Sequence, residues 1–265
     1  MPGFHNSFSE GQRISVRGRA MTKEEFNHHK EYLSMHLRWD DLIRLCRNYE
    51  EECRQNGDLD NLAETLEYLY FELSMHGTEE EAKDVFDDLF ALRQALAQHN
   101  FKEYGKDFAI MLYRKAYTTD LIEEAVACQE EAIGIYKKLG LYDEDGFDID
   151  LEDAFGFLGQ LYCYKGDYAS SIHYTSIALK RALREGDDEF NIGLYLRRLG
   201  IAYLLSGNTQ MARDSILKAL DCFEYSNKTE PDPTTTPFVI DSCHQLLSEC
   251  DGRTHPDEFY QQWMI

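Results

Sequence analysis

The side chains of this sequence with the most reactive chemistry are its seven cysteines. No two of them form a Cys-x-x-Cys pair, the spacing typical of zinc sites and redox disulfides. Cys46 and Cys53 are seven residues apart, as are Cys243 and Cys250, which places each pair two turns along one helix face, roughly 10 Å apart. Because a disulfide requires a much shorter separation, we predict free thiols that act as small core residues in a reducing cytosol.

Other candidate metal ligands are the acidic segment DEDGFDIDLED, residues 143–153, and the histidines. A helix-loop-helix calcium site requires Asp-x-Asp-x-Asp-Gly, but Phe147 occupies the third ligand position and Gly146 comes too early. His28 and His29 are adjacent, so on a helix they point about 100° apart and do not readily chelate one ion. The sequence therefore predicts an acidic loop with helix-capping aspartates, and no metal.

Catalytic motifs are absent from the sequence. It contains no phosphate-binding glycine loop, no His-Glu-x-x-His and no nucleophile elbow, so we predict that the protein is not an enzyme and takes no cofactor. A net charge of −22 disfavours nucleic acid and anionic membranes as partners. No apolar run is long enough to span a membrane, and the N-terminus lacks a signal-peptide core, which predicts a soluble, cytoplasmic protein.

An internal repeat predicts the elements that position these side chains. Leu158-Gly159-x-x-Tyr162, followed by Gly166, returns 41 residues later as Leu199-Gly200-x-x-Tyr203, followed by Gly207. Weaker copies precede them, which predicts five helix pairs at residues 22–57, 58–100, 101–146, 147–188 and 189–226. We expect Gly159 to lie where the partner helix approaches closely, and Gly166 to end the first helix of its pair.

This pattern resembles the tetratricopeptide repeat (TPR) family, whose unit carries Trp-x-x-Leu-Gly-x-x-Tyr, then Ala-x-x-x-Phe, then Ala. The period here is longer, about 40–46 residues, and the usual proline after the second helix is missing. The resemblance implies an all-α fold, a right-handed superhelical solenoid of five TPR-like helix pairs plus a C-terminal capping helix. It also implies a protein-interaction role, because the first helices of such pairs line a concave groove that binds partners.

The resemblance places a set of aromatic, methionine and arginine side chains in this groove: Tyr68, Phe71, Met75, Met111, Arg114, Tyr117, Phe157, Gln160, Tyr164, Arg197, Arg198 and Ile201. Aromatic and methionine side chains suit a hydrophobic peptide or helix of another protein. We expect the arginines to pair with a partner's carboxylate or phosphate, so that charge reversal at Arg197 and Arg198 abolishes binding and spares helicity. The Lys/Asn clamp of co-chaperone members is missing, so heat-shock chaperone C-terminal tails are not predicted partners.

The leading hypothesis is thus a non-catalytic adaptor or regulator, acting alone or in a larger complex. One alternative is a peptide-sensing regulator resembling bacterial pheromone receptors, and another is an inhibitor that engages its target through its acidic surface. Outside the repeats, the sequence predicts a flexible arm (1–21), a Pro/Thr-rich linker (227–237), a capping helix (238–252) and a tail (253–265). The aromatic tail either folds into the last groove or serves as a docking peptide.

Overall fold

The computed structural model describes residues 21–141, 149–229, 231–232 and 234–264, and within these residues all regular structure is helical. The predicted arm up to residue 20 and residues 143–148 of the acidic segment lie outside the described residues. The described helices are α1 (Lys23–Met35), α2 (Trp39–Asn56), α3 (Leu59–His76), α4 (Glu79–His99), α5 (Phe101–Thr118), α6 (Ile122–Lys138), α7 (Ile149–Tyr164), α8 (Tyr168–Glu185), α9 (Glu189–Leu205), α10 (Thr209–Thr229), α11 (Thr235–Glu249), α12 (Asp257–Gln261) and a 3-10 helix (Gln262–Met264).

The chain divides into two compact units, and the first contains α1 to α4. Thr22 and Glu25 form a capping box that starts α1, and the Asp58 carboxylate accepts from the backbone of Asn61 to start α3. The Phe26 and Tyr49 rings stack at 4.3 Å and join α1 to α2 in the core. Met21, the last residue of the predicted arm, is buried, and its N–H donates to Glu52.

The second unit, residues 100–265, contains α5 to α12, and its helix pairs are antiparallel. A Cβ on Gly159 would lie 2.2 Å from Thr175 Oγ1, and one on Gly200 would lie 2.4 Å from Ile216 Cγ1. Towards the start of α9, Gly193 faces Phe223 near the end of α10. Gly159 and Gly200 therefore lie where a partner helix approaches, as the repeat predicts. The number of repeat units and the right-handed superhelix stay predictions.

Five turns after described helices share one hydrogen-bond pattern, in which one N–H donates to the carbonyl three residues earlier and the next N–H donates to the carbonyl five residues before it. In the turn after α7, Gly166 N–H donates to Cys163 O and Asp167 N–H donates to Tyr162 O. Four of the turns have a glycine with positive φ at the first position: Gly57, Gly140, Gly166 and Gly207. The fifth, after α1, has Leu37 with φ of 54°.

The C-terminal part differs in its boundaries from the sequence-based expectation. α10 continues past residue 226 to Thr229, and α11 begins at Thr235 instead of at residue 238. Pro237 did not prevent this earlier start because it lies in the first turn of α11, where a backbone N–H has no intrahelical partner. α11 thus covers most of the residues of the predicted capping helix, whose capping role stays a prediction.

Candidate protein-interaction surfaces

In the first unit, α1 and α3 run side by side in the same direction. Lys23 pairs with Glu64 at 2.7 Å, and further along Lys30 Nζ lies 4.5 Å from the centre of the Tyr68 ring. Tyr68, Phe71 and Met75 follow Glu64 at helical spacing, so they form one stripe along α3. We call this face, together with the exposed residues at the end of α1, the α1/α3 surface, formed by Lys30, Met35, Leu37, Tyr68, Phe71 and Met75.

The far end of the α1/α3 surface is apolar and exposed. Met35 is 74% exposed, Phe71 60% and Met75 64%. Trp39 at the start of α2 stacks on His76 at the end of α3, with ring centres 4.2 Å apart. The turn between α1 and α2 therefore lies at the same end of the unit as Met75. We call Met35, Leu37, Phe71 and Met75 together the apolar tip.

Leu37 occupies a backbone position that favours glycine. Its φ of 54° lies in the left-handed region, and it is the one non-glycine residue with positive φ among those the structure describes. A side chain in this region costs roughly 1–2 kcal/mol. Packing does not offset that cost, because 70% of Leu37 is exposed. An exposed leucine held in an unfavourable conformation is the kind of local strain that collects at binding sites.

The second unit holds nine of the predicted groove residues, and the structure buries several of them. Met111, Phe157, Gln160 and Ile201 are buried and expose little side-chain surface, so their place in a partner-binding groove stays a prediction. Tyr117 remains 56% exposed and stacks on Phe157 at 3.9 Å.

Tyr164 and Arg114, two further predicted residues in this unit, are half-buried. The Tyr164 hydroxyl accepts a 2.9 Å hydrogen bond from the side-chain amide of Gln160. Burial raises the pKa of Tyr164, so the phenol stays neutral and available as a hydrogen-bonding group at physiological pH.

Arg197 and Arg198 both have hydrogen-bond partners within the chain. Arg197 is only 1% exposed and donates to Ser242 Oγ of α11 at 3.0 Å, since α11 covers this side of α9. Burial lowers the pKa of Arg197 to about 10. Arg198 Nε donates to the backbone oxygen of Met264 at 2.6 Å, so it binds the chain's own C-terminal segment. Charge reversal at both positions therefore places a buried carboxylate in the core and does not isolate partner binding.

The C-terminal segment, residues 253–264, lies against α7 and α9, the first of the two alternatives for the tail. Gln261 donates to the backbone oxygen of Cys163 at 2.7 Å, and the Tyr168 hydroxyl donates to Asp257 at 2.6 Å. Tyr260, Trp263 and Met264 are buried in the same apolar cluster as α9, α10 and α11. In the sequence, only the aromatic composition of the tail indicated this contact, and composition does not say where the tail binds.

The remaining chemistry-bearing groups form no reactive site in the described part of the chain. No group of three His, Cys, Asp or Glu side chains there could hold a metal ion. The seven cysteines are free thiols, and burial raises the pKa of Cys46 and Cys163 to about 12. No described helix is both long and apolar enough to cross a membrane.

One cavity of about 410 Å³ in the second unit has an acidic lining formed by Asp188, Glu189, Phe190, Tyr225, Ser226, Thr229, Asp232 and Thr236. Two of its carboxylates act as structural caps. Asp188 accepts from the backbone N–H of Asn191, and Asp232 accepts from those of Thr234 and Thr235. We therefore assign no ligand to this cavity.

Comparison with known proteins identifies the fold. No family model and no curated protein matches the chain. One matching solved structure is that of a kinesin light chain from Podosopora anserina, whose TPR-like repeats are nearly identical to one another. It is 12% identical to this chain with a TM-score of 0.53, and the match covers 79% of this chain and 97% of that one. BtubC (BKLC) from P. vanneervenii matches with 14% identity and a TM-score of 0.42, over 91% of this chain and 89% of that one. The first likeness shows a TPR-like helical repeat fold.

Proposed function

We propose that the protein is a non-catalytic interaction scaffold that binds an apolar segment of another protein at the apolar tip of its α1/α3 surface. The observation that carries this proposal is Leu37. Four turns with the same hydrogen-bond pattern use glycine, whereas this one keeps an exposed leucine at a conformational cost. A leucine that does not stabilise the fold is best explained by a contact outside it.

The partner's chemistry follows from the side chains of the surface. Methionine and phenylalanine bury a large area and adapt to the shape of a ligand, so the tip suits an amphipathic helix with apolar residues at i, i+3 and i+4. The chain carries 49 acidic against 27 basic residues, so a partner with basic flanks would associate faster and compete better than an acidic one. Burial, with the nearby Glu72 carboxylate, raises the pKa of Tyr68, so its hydroxyl stays a neutral donor beside the tip.

The first measurement is a peptide-display selection against the purified protein, followed by fluorescence polarisation with the most enriched peptide. We expect enriched sequences with paired apolar residues and net positive charge. Met75→Glu should weaken binding at least about tenfold, because it places a charge in the apolar contact. Leu183→Glu is the matched control, since Leu183 is also an exposed apolar helix residue, 59% exposed, but belongs to the second unit.

Leu37→Gly distinguishes a binding role from a structural one. Relief of the left-handed strain, less the greater chain entropy of glycine, should stabilise the protein by about 0.5–1 kcal/mol. The same change should weaken peptide binding, because it removes an apolar contact. Urea unfolding gives the first quantity and polarisation the second. Loss of stability with unchanged peptide affinity would show that Leu37 serves the fold, and the proposal would then be wrong.

A further inference from the structure

The C-terminal segment is attached to α7 and α9 in the manner of a bound peptide. It has one five-residue helix and one turn of 3-10 helix, in contrast to the long helices that pair along the rest of the unit. Two of its contacts join a side chain to a backbone oxygen, from Arg198 to Met264 and from Gln261 to Cys163. Domains that bind peptides in a groove hold them in this way, with hydrogen bonds between side chains and backbone groups and with a few buried anchor side chains.

The anchors are aromatic and aliphatic. Tyr260, Trp263 and Met264 are buried against α9 and its neighbours, and their spacing along the segment places them on one side of a helical turn. Buried aromatic side chains near the centre of a contact carry most of its binding free energy. The segment therefore has the composition of a ligand, with two polar contacts that set its register.

The receiving face is held in place by groups outside the segment. The guanidinium of Arg198 lies 5.8 Å from the centre of the Tyr195 ring on the same helix, a cation–π distance that orients it. Tyr195 in turn donates to Asp153 of α7 at 3.4 Å. Because these contacts do not involve residues 253–264, the donor to Met264 is positioned whether or not the segment is bound.

We propose that the face of α7 and α9 is a second peptide-binding site, and that residues 253–264 occupy it until a partner segment of the same chemistry displaces them. The partner segment carries two aromatic residues and an aliphatic one at the spacing of Tyr260, Trp263 and Met264. This inference is independent of the α1/α3 surface. A tethered segment acts at an effective concentration in the millimolar range, so a partner segment displaces it only by binding more tightly, and a free copy of the same segment competes well only when the tethered one is weakened.

The test uses the full chain and a fluorescent synthetic peptide of residues 253–265 as the probe. The full chain should bind it weakly. The full chain with Trp263→Ala should bind it at least about tenfold more tightly, since the tethered competitor has lost its largest anchor. Adding Arg198→Leu to that variant should reduce the binding again, and a peptide that carries Trp263→Ala should bind neither protein.

Several results would overturn the proposal. Equal binding to the full chain and to the Trp263→Ala chain would show that the segment does not compete. Loss of helicity or of cooperative unfolding in the Trp263→Ala chain would identify the segment as a core element. A concentration-dependent dimer of the unmodified chain, seen by sedimentation, would identify a second copy as the occupant in place of a partner. Circular dichroism of the variant accompanies every binding measurement.

Discussion

Replacing Gly159 with alanine tests the close packing of α7 on α8. The new Cβ would lie 2.2 Å from Thr175 Oγ1, 3.0 Å from Thr175 N and 3.2 Å from Ser171 O. A contact of 2.2 Å does not occur between well-packed atoms, and the other two are tighter than most contacts of a Cβ. Two of the three neighbours are backbone atoms, which cannot rotate away as a side chain can. The variant therefore accommodates the methyl group only if the two helices move apart.

The magnitude follows from two opposing effects. Alanine in place of glycine inside a helix stabilises it by about 1 kcal/mol, because glycine loses more conformational freedom on folding. Overpacking at the close contact costs about 1–3 kcal/mol. Gly134 in α6 is the matched control, since a Cβ there meets nothing within 4 Å. The helix-propensity gain is common to both changes, so Gly159→Ala should be less stable than Gly134→Ala by about 1–3 kcal/mol.

The assay is urea unfolding of both variants and the parent, followed by far-ultraviolet circular dichroism. We expect Gly134→Ala to unfold at higher urea than the parent, and Gly159→Ala to unfold at lower urea than Gly134→Ala. Equal stabilisation by the two changes would refute the reasoning, because it would mean that α7 and α8 are not in close contact at Gly159.

The other predictions concern buried ionisable groups. Burial tends to raise the pKa of Glu249, but hydrogen bonds, led by the one from Tyr260, outweigh it and lower the pKa to about 2, below the ordinary value of 4.5. The ionised Glu249 carboxylate therefore stabilises the fold above pH 4.5, and this contribution is lost as the pH falls towards 2. The backbone amides of residues 257–264 should consequently exchange hydrogen for deuterium faster in acid. In the Glu249→Gln variant the pH dependence of this exchange should be smaller. Arg197→Met should unfold at the same urea concentration or higher, since a buried charge is replaced by an apolar side chain of similar length; a large loss of stability would contradict this. Native alkylation should be slow at mildly alkaline pH, even at half-buried Cys222, whose pKa burial raises to about 12; mass spectrometry would reveal any rapid native labelling.

The helix pairs of the last two repeats could be predicted because their glycines have a single physical purpose. Gly159 and Gly200 are small where a helix crosses closely, and Gly166 and Gly207 adopt positive φ where a helix ends. Each is a local requirement that recurs with the repeat, so its spacing is visible in the sequence. The helix bounds of α7 to α10 follow from these positions with small differences.

The candidate sites were less predictable because they depend on elements outside the repeat. Arg197 has the polarity and the position of a groove residue, and its burial comes from α11, which the periodicity does not include. Arg198 is bound by Met264, 66 residues further along the chain. Leu37 could have been found by aligning the first turn with Gly166 and Gly207, but the repeat is weakest there.

The two candidate surfaces also differ in the kind of evidence that supports them. At the apolar tip, the strained backbone of Leu37 and the exposure of its side chain both oppose stability, so selection for the fold alone does not explain that residue. At the face of α7 and α9, burial of Trp263 stabilises the fold whether or not a partner exists. Only a competition experiment separates a displaceable ligand from a core element there, whereas at the tip one substitution should move stability and binding in opposite directions.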